Sequence, residues 1–414
     1  MVAETGTVAF LAGLTLVVVA AHTLGIVADR LGFAPVVGEL LTGIVLGPAL
    51  LGVVAPGVTS LVVPVPVELA AVATLGLLFL LVVAGTEVDV PTLRRYVRPT
   101  VALALGAFVM PFLMGFVLAW YLPSHFLVDP ALRLPFALFL ATALSISAVP
   151  VAVRVLIDLD AIDRPVGQLT LTAAVVIDVV GWVVLTVVAD VARAGRVAPT
   201  QVGRTVFVLA GFVAAAVVVG PRLVRALGDL TARVRSPAVT GFGVVSIVGV
   251  GMSAAAMALG LEALVGAFLA GVVVRDRVDD EAMRTFQTVT FGLFAPVFFA
   301  TAGLRVDLSG LFGVEALLVA VLTFAVAVAG KFLGVAVGAI FTDLTRSEAL
   351  CVAIGLNARG AVEIVIAALG LSIGILTPTM YAVVVVVAIG TSVIAPPLLR
   401  RALRSVPASS SATT

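Results

Sequence analysis

Apolar segments long enough to cross a lipid bilayer recur through almost all of the 414-residue chain. A membrane-spanning helix needs roughly 18 or more mostly apolar residues in succession. The composition agrees, because 62% of the residues are apolar and 11% are charged, whereas about 25% are charged in soluble domains. We therefore predict an all-α polytopic membrane protein, a single membrane domain over residues 1–414. Its thirteen predicted transmembrane helices lie near 7–28, 35–53, 66–86, 99–121, 134–157, 165–191, 203–221, 238–258, 261–274, 286–303, 313–342, 347–371 and 378–399.

The arginines of the connecting segments are divided unevenly between the two faces of the predicted membrane domain. Sixteen lie in one alternate set of connections and five in the other. Positively charged residues are enriched in cytoplasmic loops, so the richer set is predicted to be cytoplasmic. Because the number of spans is odd, the N-terminus is then outside and the C-terminus inside. Residues 405–414 are predicted to form a short disordered tail.

One carboxylate, Asp178, lies in the middle of the predicted span TLTAAVVIDVVGWVVL at 170–185. A charge at the bilayer centre costs about 2.5–3.5 kcal/mol on insertion scales, so such a residue normally faces a polar cavity and has a function. Ala174 and Gly181, one turn to either side, leave room for an ion, water or a crossing backbone. Asp178 is therefore the candidate for a carboxylate that alternately holds a proton and a cation. The alternative is an inert aspartate that is salt-bridged inside the helix bundle.

Two sequence elements each occur twice in the chain. AGTEVDVPTL at 84–93 closes the third span and AGLRVDLSGL at 302–311 closes the tenth, while GELLTGIVLG at 38–47 is echoed by LEALVGAFLAG at 261–271. Seven spans separate the paired elements, so the two copies have opposite orientations in the membrane. Inverted-topology repeats of this kind are typical of secondary transporters, which bind their substrate at the midplane between the halves.

Polar residues interrupt the middle one of the three spans that follow each repeat element. The segment ATALSISAVPVAVRVL contains Pro150, which removes a backbone donor and disfavours helix in the preceding residue. The segment AIGLNARGAVEIVIAAL contains Gly360. Backbone that leaves a helix at this depth must line a cavity or be buried in protein. We therefore predict two crossed discontinuous helices, with supporting core polar residues at Thr142, Ser145, Ser147, Lys331, Asn357, Arg359 and Glu363.

These residues also have purely structural interpretations. Ser145 and Ser147 could bond back to their own helix, and Pro150 could mark a simple kink. Arg359 and Glu363, four residues apart, could form a helix-surface pair that neutralises itself. Because corresponding spans are interrupted in both repeats, crossed half-helices explain the combined pattern better.

The chain contains a single lysine, Lys331, which lies in an apolar segment. Arginine stays protonated in proteins, whereas a buried lysine can lose its proton. The single cysteine, Cys351, excludes a disulfide framework and a cysteine-based metal site, and the two histidines lack zinc spacing. A net charge of +1 gives no reason to expect nucleic acid as a partner.

Five stretches match the sequence pattern of one transporter family, in the right order and over nearly the whole chain. They are PVVGELLTGIVLGPALLG at 35–52, LLFLLVVAGTEVDVPTLRR at 77–95, ALSISAVPVAVRVLIDLDAIDRPVGQLTLTAAVVIDVVGW at 143–182, PVFFATAGLRVDL at 296–308 and GLNARGAVEIVIAALGL at 355–371. The chain resembles the monovalent cation:proton antiporters, in the branch with bacterial Na+/H+ antiporters, the membrane part of glutathione-gated potassium efflux systems and plant cation/H+ exchangers.

The resemblance implies the Na+/H+ antiporter-like fold and a homodimer. A dimerisation scaffold at 7–90 and 236–310 would flank a mobile core at 98–191 and 312–400. The core would move like an elevator and carry the ion on the aspartate that matches Asp178.

The acid that often precedes the family's ion-carrying aspartate is replaced here by Ile177. In electrogenic relatives, that first acid pairs with the lysine that matches Lys331. Ile177 can neither bind an ion nor neutralise a lysine. Lys331 must therefore pair with Asp178, stay uncharged because it is desolvated, or find another acid such as Glu363.

The residues and the resemblance together predict an antiporter of the cytoplasmic membrane that exchanges Na+ or K+ for H+ at Asp178. One carboxylate holds one proton or one monovalent ion per cycle, which favours 1:1 electroneutral exchange. No cofactor is expected besides the transported ions, and regulation by a cytoplasmic nucleotide-binding domain would need a separate subunit. The alternatives are an uncoupled channel or uniporter on the same fold and an intramembrane enzyme. An enzyme needs at least two chemical groups at the water interface, whereas the acids here are scattered singly.

Overall fold

The computed structural model describes residues 2–31, 33, 35–48, 50, 52, 55–59, 62–63, 65–86, 97–194, 199–231, 237–261, 263–304, 311 and 313–406. Helices dominate these residues, and the β-pairing within them is one isolated antiparallel bridge between Leu127 and Leu376. The predicted all-α fold is therefore confirmed.

Sixteen α-helices of ten or more residues, numbered in chain order, define the architecture of the described residues, and a four-residue α-helix, Pro56–Thr59, lies between the second and the third of them. They are α1 (Val2–Arg30), α2 (Pro35–Leu46), α3 (Val67–Thr86), α4 (Val97–Tyr121), α5 (Arg133–Ser145), α6 (Val149–Asp158), α7 (Pro165–Ala194), α8 (Pro199–Thr231), α9 (Pro237–Ala258), α10 (Ala263–Val274), α11 (Asp280–Val289), α12 (Ala295–Leu304), α13 (Val314–Ala339), α14 (Arg346–Leu356), α15 (Ala361–Ser372) and α16 (Pro378–Leu403). A π-helical turn, Thr290–Phe294, joins α11 to α12.

Nine helical segments of the described chain are long and apolar enough to cross a membrane, with α11, the π-helical turn and α12 counted as one. The other four predicted spans contain shorter helices. Of these, α2 and α10 have 12 residues each and lie in the predicted spans 35–53 and 261–274. The remaining two spans are each split in two. That all four of these spans cross the membrane remains a prediction.

The two predicted helix breaks are confirmed. The chain leaves α5 after Ser145 and starts α6 at Val149, and it leaves α14 after Leu356 and starts α15 at Ala361. Pro150 lies in the first turn of α6, where its missing N–H would have no helical partner. The interpretation of this proline as a simple kink is therefore wrong.

The repeated sequence elements pack against each other reciprocally. Gly43 on α2 faces Gly303 on α12, where an added Cβ on Gly43 would lie 2.5 Å from the Gly303 Cα. Gly85 on α3 faces Gly271 on α10, where an added Cβ on Gly85 would lie 2.9 Å from the Gly271 Cα. Each contact joins one copy of the repeat to the other, as a pseudo-two-fold relation requires. Residues 87–93 and 305–310, which complete the longer repeat match, lie outside the described residues.

Two groups of helices result from this packing. We call α1–α3 with α9–α12 the scaffold helices, since α2 packs on α1 and α12 and α3 packs on α10 and α12. We call α4–α7 with α13–α16 the core helices, since α4 packs on α5 and α13 and α7 packs on α4, α5 and α14. The groups agree with the predicted scaffold and core regions to within a few residues at the helix ends, and their division of function remains a prediction. Of the predicted tail, only residues 405–406 are described, in the turn after α16.

Candidate functional site

The two broken helices meet at their breaks. The N–H of Ala148 donates to the carbonyl oxygen of Ala358 at 3.3 Å, and the hydroxyl of Ser147 donates to the carbonyl oxygen of Leu356 at 2.9 Å. Leu356 is the last residue of α14, where the helix itself offers no further donors, and Ala358 lies in the break that follows. Each break therefore helps to satisfy the backbone of the other.

Lys331, on α13, contacts the end of a broken helix rather than an acid. Its Nζ donates to the carbonyl oxygen of Ser145 at 2.5 Å and to the hydroxyl oxygen of Ser147 at 2.7 Å. The C-terminal end of a helix carries partial negative charge that stabilises a nearby cation, and Ser145 is the last residue of α5. The ion pairs of the described residues include no pair between Lys331 and Asp178 or Glu363. The structure therefore gives no support to two of the three predicted alternatives, the pairing of Lys331 with Asp178 and its pairing with Glu363.

Arg359, in the break between α14 and α15, occupies the same helix end. Its guanidinium donates to the carbonyl oxygen of Ala143 at 3.2 Å and to that of Leu144. Arg359 and Glu363 are each 1% exposed, and Arg359 precedes the first residue of α15. The interpretation of these two residues as a helix-surface pair is therefore wrong. Ser392 on α16 donates to the carbonyl oxygen of Arg359, a contact that no sequence pattern indicated.

Glu363 and Asn357 flank the second break. Glu363 Oε2 accepts from the N–H of Gly360 at 2.7 Å and so caps the N-terminal end of α15. Asn357 Nδ2 donates to the carbonyl oxygen of Ala353 at 3.3 Å. The second oxygen of Glu363 and the Oδ1 of Asn357 are buried and have no hydrogen-bond partner within the described chain.

Asp178 lies in the middle of α7, against the N-terminal end of α6. The backbone N–H of Val149, the first residue of α6, bonds to its carboxylate. A helix N-terminus stabilises a nearby anion, which explains this placement. The Oδ1 atom of Asp178 is buried without a hydrogen-bond partner, and the ion pairs of the described residues do not include Asp178. The structure therefore gives no support to the interpretation of Asp178 as a salt-bridged structural residue.

A cavity of about 280 Å³ opens beside this carboxylate. Leu81 on α3 and Phe268 on α10 line it from the scaffold helices, Val149 on α6 and Asp178 on α7 from the core helices, and Leu209 on α8 from the connecting helix. The other lining residues are Val175, Val213, Leu264, Val265 and Leu269. Asp178 is thus the charged residue of a cavity with apolar walls, at the boundary between scaffold and core helices.

The space predicted around Asp178 is partly filled. A Cβ added to Gly181 would lie 2.4 Å from Cγ1 of Ile146, so the glycine makes room for a side chain of the α5–α6 break. The occupant of this space is thus a side chain of the crossing segment, not the ion, water or crossing backbone that was predicted. Ala174 and Ile177 are fully buried among apolar residues.

The hydroxyl groups of α5 are used within the helix itself. Thr142 Oγ1 donates to the carbonyl oxygen of Leu138 and Ser145 Oγ to that of Ala141, each at 2.7 Å. The structural interpretation of Ser145 is therefore right for its hydroxyl, whereas that of Ser147 is wrong, because Ser147 bonds across to α14.

The site as a whole combines two buried acids, Asp178 and Glu363, with two buried cations, Lys331 and Arg359. The formal charges of these four groups sum to zero. Three side-chain oxygens of this region lack a partner in the described chain, namely Asp178 Oδ1, Asn357 Oδ1 and Glu363 Oε1. Hard cations take oxygen ligands, so the arrangement suits an alkali cation or a proton better than a metal that prefers sulfur or imidazole.

Comparisons with known proteins agree with this geometry. Residues 15–404 match the family model described as sodium/hydrogen exchanger, transmembrane. The chain is 28% identical to the Na+/H+ antiporter NhaS4 of Synechocystis, over 94% of this chain and 96% of that protein. It is 27% identical to the Na+/H+-K+ antiporter GerN of Bacillus cereus, over 94% of each chain. It also matches cation/H+ antiporters of Arabidopsis thaliana, of whose length it spans about half, for example 44% of antiporter 17.

A solved structure shares the fold. The sodium proton antiporter MjNhaP1 from Methanocaldococcus jannaschii superposes with a TM-score of 0.63 over 97% of both chains, at 16% sequence identity. At 16% sequence identity, the similarity shows only that the two proteins have the same arrangement of helices. It confirms the antiporter-like fold that the sequence predicted.

Proposed function

Since the chain belongs to the sodium/hydrogen exchanger family, we propose that it exchanges a monovalent cation for a proton across the cell membrane, with Asp178 as the carrier of both. NhaS4 and GerN, which match nearly its whole length, are named as antiporters rather than enzymes. The proposed cation is Na+ or K+, since the name of GerN includes both.

The observation that carries this proposal is the unpaired Oδ1 of Asp178 beside a cavity. A buried carboxylate oxygen without a partner is costly, and either a proton or a cation with its remaining water can compensate it. Both cannot occupy the same lone pairs at once. Binding of one load therefore releases the other, which is the requirement for exchange at a single site.

We propose that two free side-chain oxygens bind the cation. Asp178 Oδ1 is the charged ligand. The free Oδ1 of Asn357 is a better neutral ligand than the Ser145 hydroxyl, which already bonds to a carbonyl oxygen of its own helix. Lys331 and Arg359 donate to carbonyl oxygens at the C-terminal end of α5. Their role in this account is to fix the break that places Val149 against Asp178.

The proposed movement is an elevator-like displacement of the core helices against the scaffold helices of a homodimer. The cavity supports this, because its walls come from both groups and Asp178 belongs to the core side. Asp178 is the acid among the residues that line the cavity, and each load adds a single positive charge to the four-charge cluster. We therefore propose 1:1 electroneutral exchange. From the distribution of arginines between the connecting segments, we further propose that the N-terminus is outside and the C-terminus is in the cytoplasm.

A vesicle assay tests the proposal. Purified protein is reconstituted with a trapped pH dye, and Na+, K+ or Li+ is added outside. We expect cation-dependent proton movement in the natural sequence and none in Asp178→Asn. Asp163→Asn, in the exposed turn between α6 and α7, is the matched control and should retain exchange. Undiminished exchange in Asp178→Asn would rule out the proposed carrier, and cation flux without proton counterflow would identify an uncoupled channel or uniporter.

Two further readouts test the finer points. Where a proton occupies the site, the cation concentration for half-maximal exchange should rise about tenfold for each unit of falling pH, because the two loads compete. An imposed membrane potential should leave the final pH gradient unchanged. A dependence on the potential would contradict the 1:1 stoichiometry and leave the exchange itself standing.

A further inference from the structure

A second charged group lies between core and scaffold helices, away from the cavity. Arg154 is on α6, five residues after Val149, which corresponds to about 7.5 Å along the helix axis. Its guanidinium carbon lies 4.6 Å from the ring centroid of Phe291, and its Nε donates to Asp158 Oδ2 at 3.3 Å. The side chains of Arg154 and Asp158 are only 19% and 23% exposed. The core helix that begins at the ion site therefore also makes a cation–π contact with the scaffold.

The aromatic side of this contact is fixed to the scaffold. Phe291 belongs to the π-helical turn Thr290–Phe294, and π-helical turns occur frequently at functional sites. The ring of His22 on α1 lies 2.8 Å from the carbonyl oxygen of Gly292 in this turn. A Cβ on Gly76 of α3 would lie 2.3 Å from the carbonyl oxygen of Phe294, so α3 packs directly on the same turn. Two scaffold helices thus hold Phe291 in place.

A buried scaffold acid adds to the same contact. Glu39 on α2 is 6% exposed, and the charges that act on it are those of Arg154 and Asp158. A buried carboxylate needs a compensating charge, and Arg154 is the cation of this group. The exchange mechanism at Asp178 makes no use of Glu39. The positive charge of Arg154 therefore acts on this acid, while the ion pair that Arg154 forms is with Asp158 on its own helix.

We propose that Arg154 is a positioning residue of the exchange cycle, which through its contact with Phe291 holds the core against the scaffold in the conformation of this structure. The proposal rests on the elevator-like movement proposed above, because only then does the contact break in each cycle. A contact that is made in one conformation and lost in the other shifts their equilibrium by its own free energy. For a cation–π pair, removal should shift the population ratio by about 2- to 30-fold.

Distances between spin labels measure this ratio directly. Labels are placed at Asp163→Cys, in the core turn after α6, and at Glu281→Cys, on scaffold helix α11, in a Cys351→Ala background. Both label sites are exposed, and Cys351 is the single natural cysteine. We expect two distance populations in the otherwise natural sequence. The one that corresponds to this structure should lose 2- to 30-fold in ratio when Phe291 is replaced by leucine, which removes the π face but keeps much of the volume.

Matched variants distinguish a specific effect of the Arg154–Phe291 contact, which we call the lock, from an effect of general packing. Phe291→Tyr keeps an aromatic face and should retain the ratio, and Phe207→Leu, at an exposed position of α8, should leave it unchanged. Arg154→Gln should shift the ratio like Phe291→Leu, and both should change the maximal exchange rate more than the half-saturating cation concentration. If Arg154→Gln does not fold because the buried Glu39 loses a nearby positive charge, the comparison of Phe291→Leu with Phe291→Tyr still tests the proposal.

Two outcomes would overturn the proposal in distinguishable ways. Two populations whose ratio is the same in Phe291→Leu as in Phe207→Leu would reject the lock and leave the proposed exchange cycle standing. A single, invariant distance in protein that exchanges ions would reject the movement of the core, and the lock with it.

Discussion

Replacing Lys331 with methionine tests whether the lysine holds the broken helix. Methionine keeps the length and much of the volume of the side chain, but it cannot donate to Ser145 and Ser147. The carbonyl oxygen of Ser145 is then buried without its donor, which costs about 1–3 kcal/mol. The Ser147 hydroxyl still donates to Leu356, so losing the hydrogen bond between Lys331 and Ser147 costs about as much as losing an ordinary hydrogen bond, about 0.5–1.5 kcal/mol. We therefore expect Lys331→Met to lower the free energy of unfolding by about 1.5–4.5 kcal/mol.

The matched control lies on the same helix. Thr323 is fully buried on α13, and its hydroxyl donates to the carbonyl oxygen of Val319 within that helix. Thr323→Val removes this bond without orphaning a backbone acceptor, so its cost should stay below about 1.5 kcal/mol. Unfolding is followed by tryptophan fluorescence in mixed micelles with increasing SDS. Equal stabilities of Lys331→Met and Thr323→Val would refute the assignment of Lys331 to the end of α5.

Two further substitutions test the same region. Arg359→Lys keeps the charge but loses the planar fork that reaches two adjacent carbonyl oxygens, so we expect about 1–3 kcal/mol lower stability and a reduced exchange rate. An unchanged rate and unfolding curve would contradict this geometry. Gly181→Ala places a methyl group against Ile146 in the α5–α6 break, so overpacking should cost about 1–3 kcal/mol and slow exchange in the vesicle assay. Gly211→Ala, on α8 with open space around it, is the control, and equal effects of the two would refute the packing argument.

Some of this structure could be predicted from side-chain pattern alone. The apolar windows give the helices, because a bilayer-length apolar run has few other solutions. The break before α6 follows from Pro150, and the second break from a cluster of polar residues at mid-depth. The reciprocal contacts of Gly43 with Gly303 and of Gly85 with Gly271 follow the inverted repeat that the sequence indicated.

The partners of Lys331 and Arg359 could not be predicted in the same way. A search for charge partners considers side chains, whereas both cations bind carbonyl oxygens that become free only because α5 ends at Ser145. The sequence also could not predict which residue occupies the space beside Gly181. A glycine indicates a close approach, but only the three-dimensional crossing shows that Ile146 makes it.

The competition of two loads for Asp178 is tested most directly by proton release on cation binding. Purified protein in weak buffer is titrated with NaCl or KCl, and the released protons are counted against the bound cation. We predict at most one proton per chain, with a maximum near the pH at which half of the sites are protonated, and no release in Asp178→Asn. Cation binding without proton release in the natural sequence, or equal release in Asp178→Asn, would contradict the account.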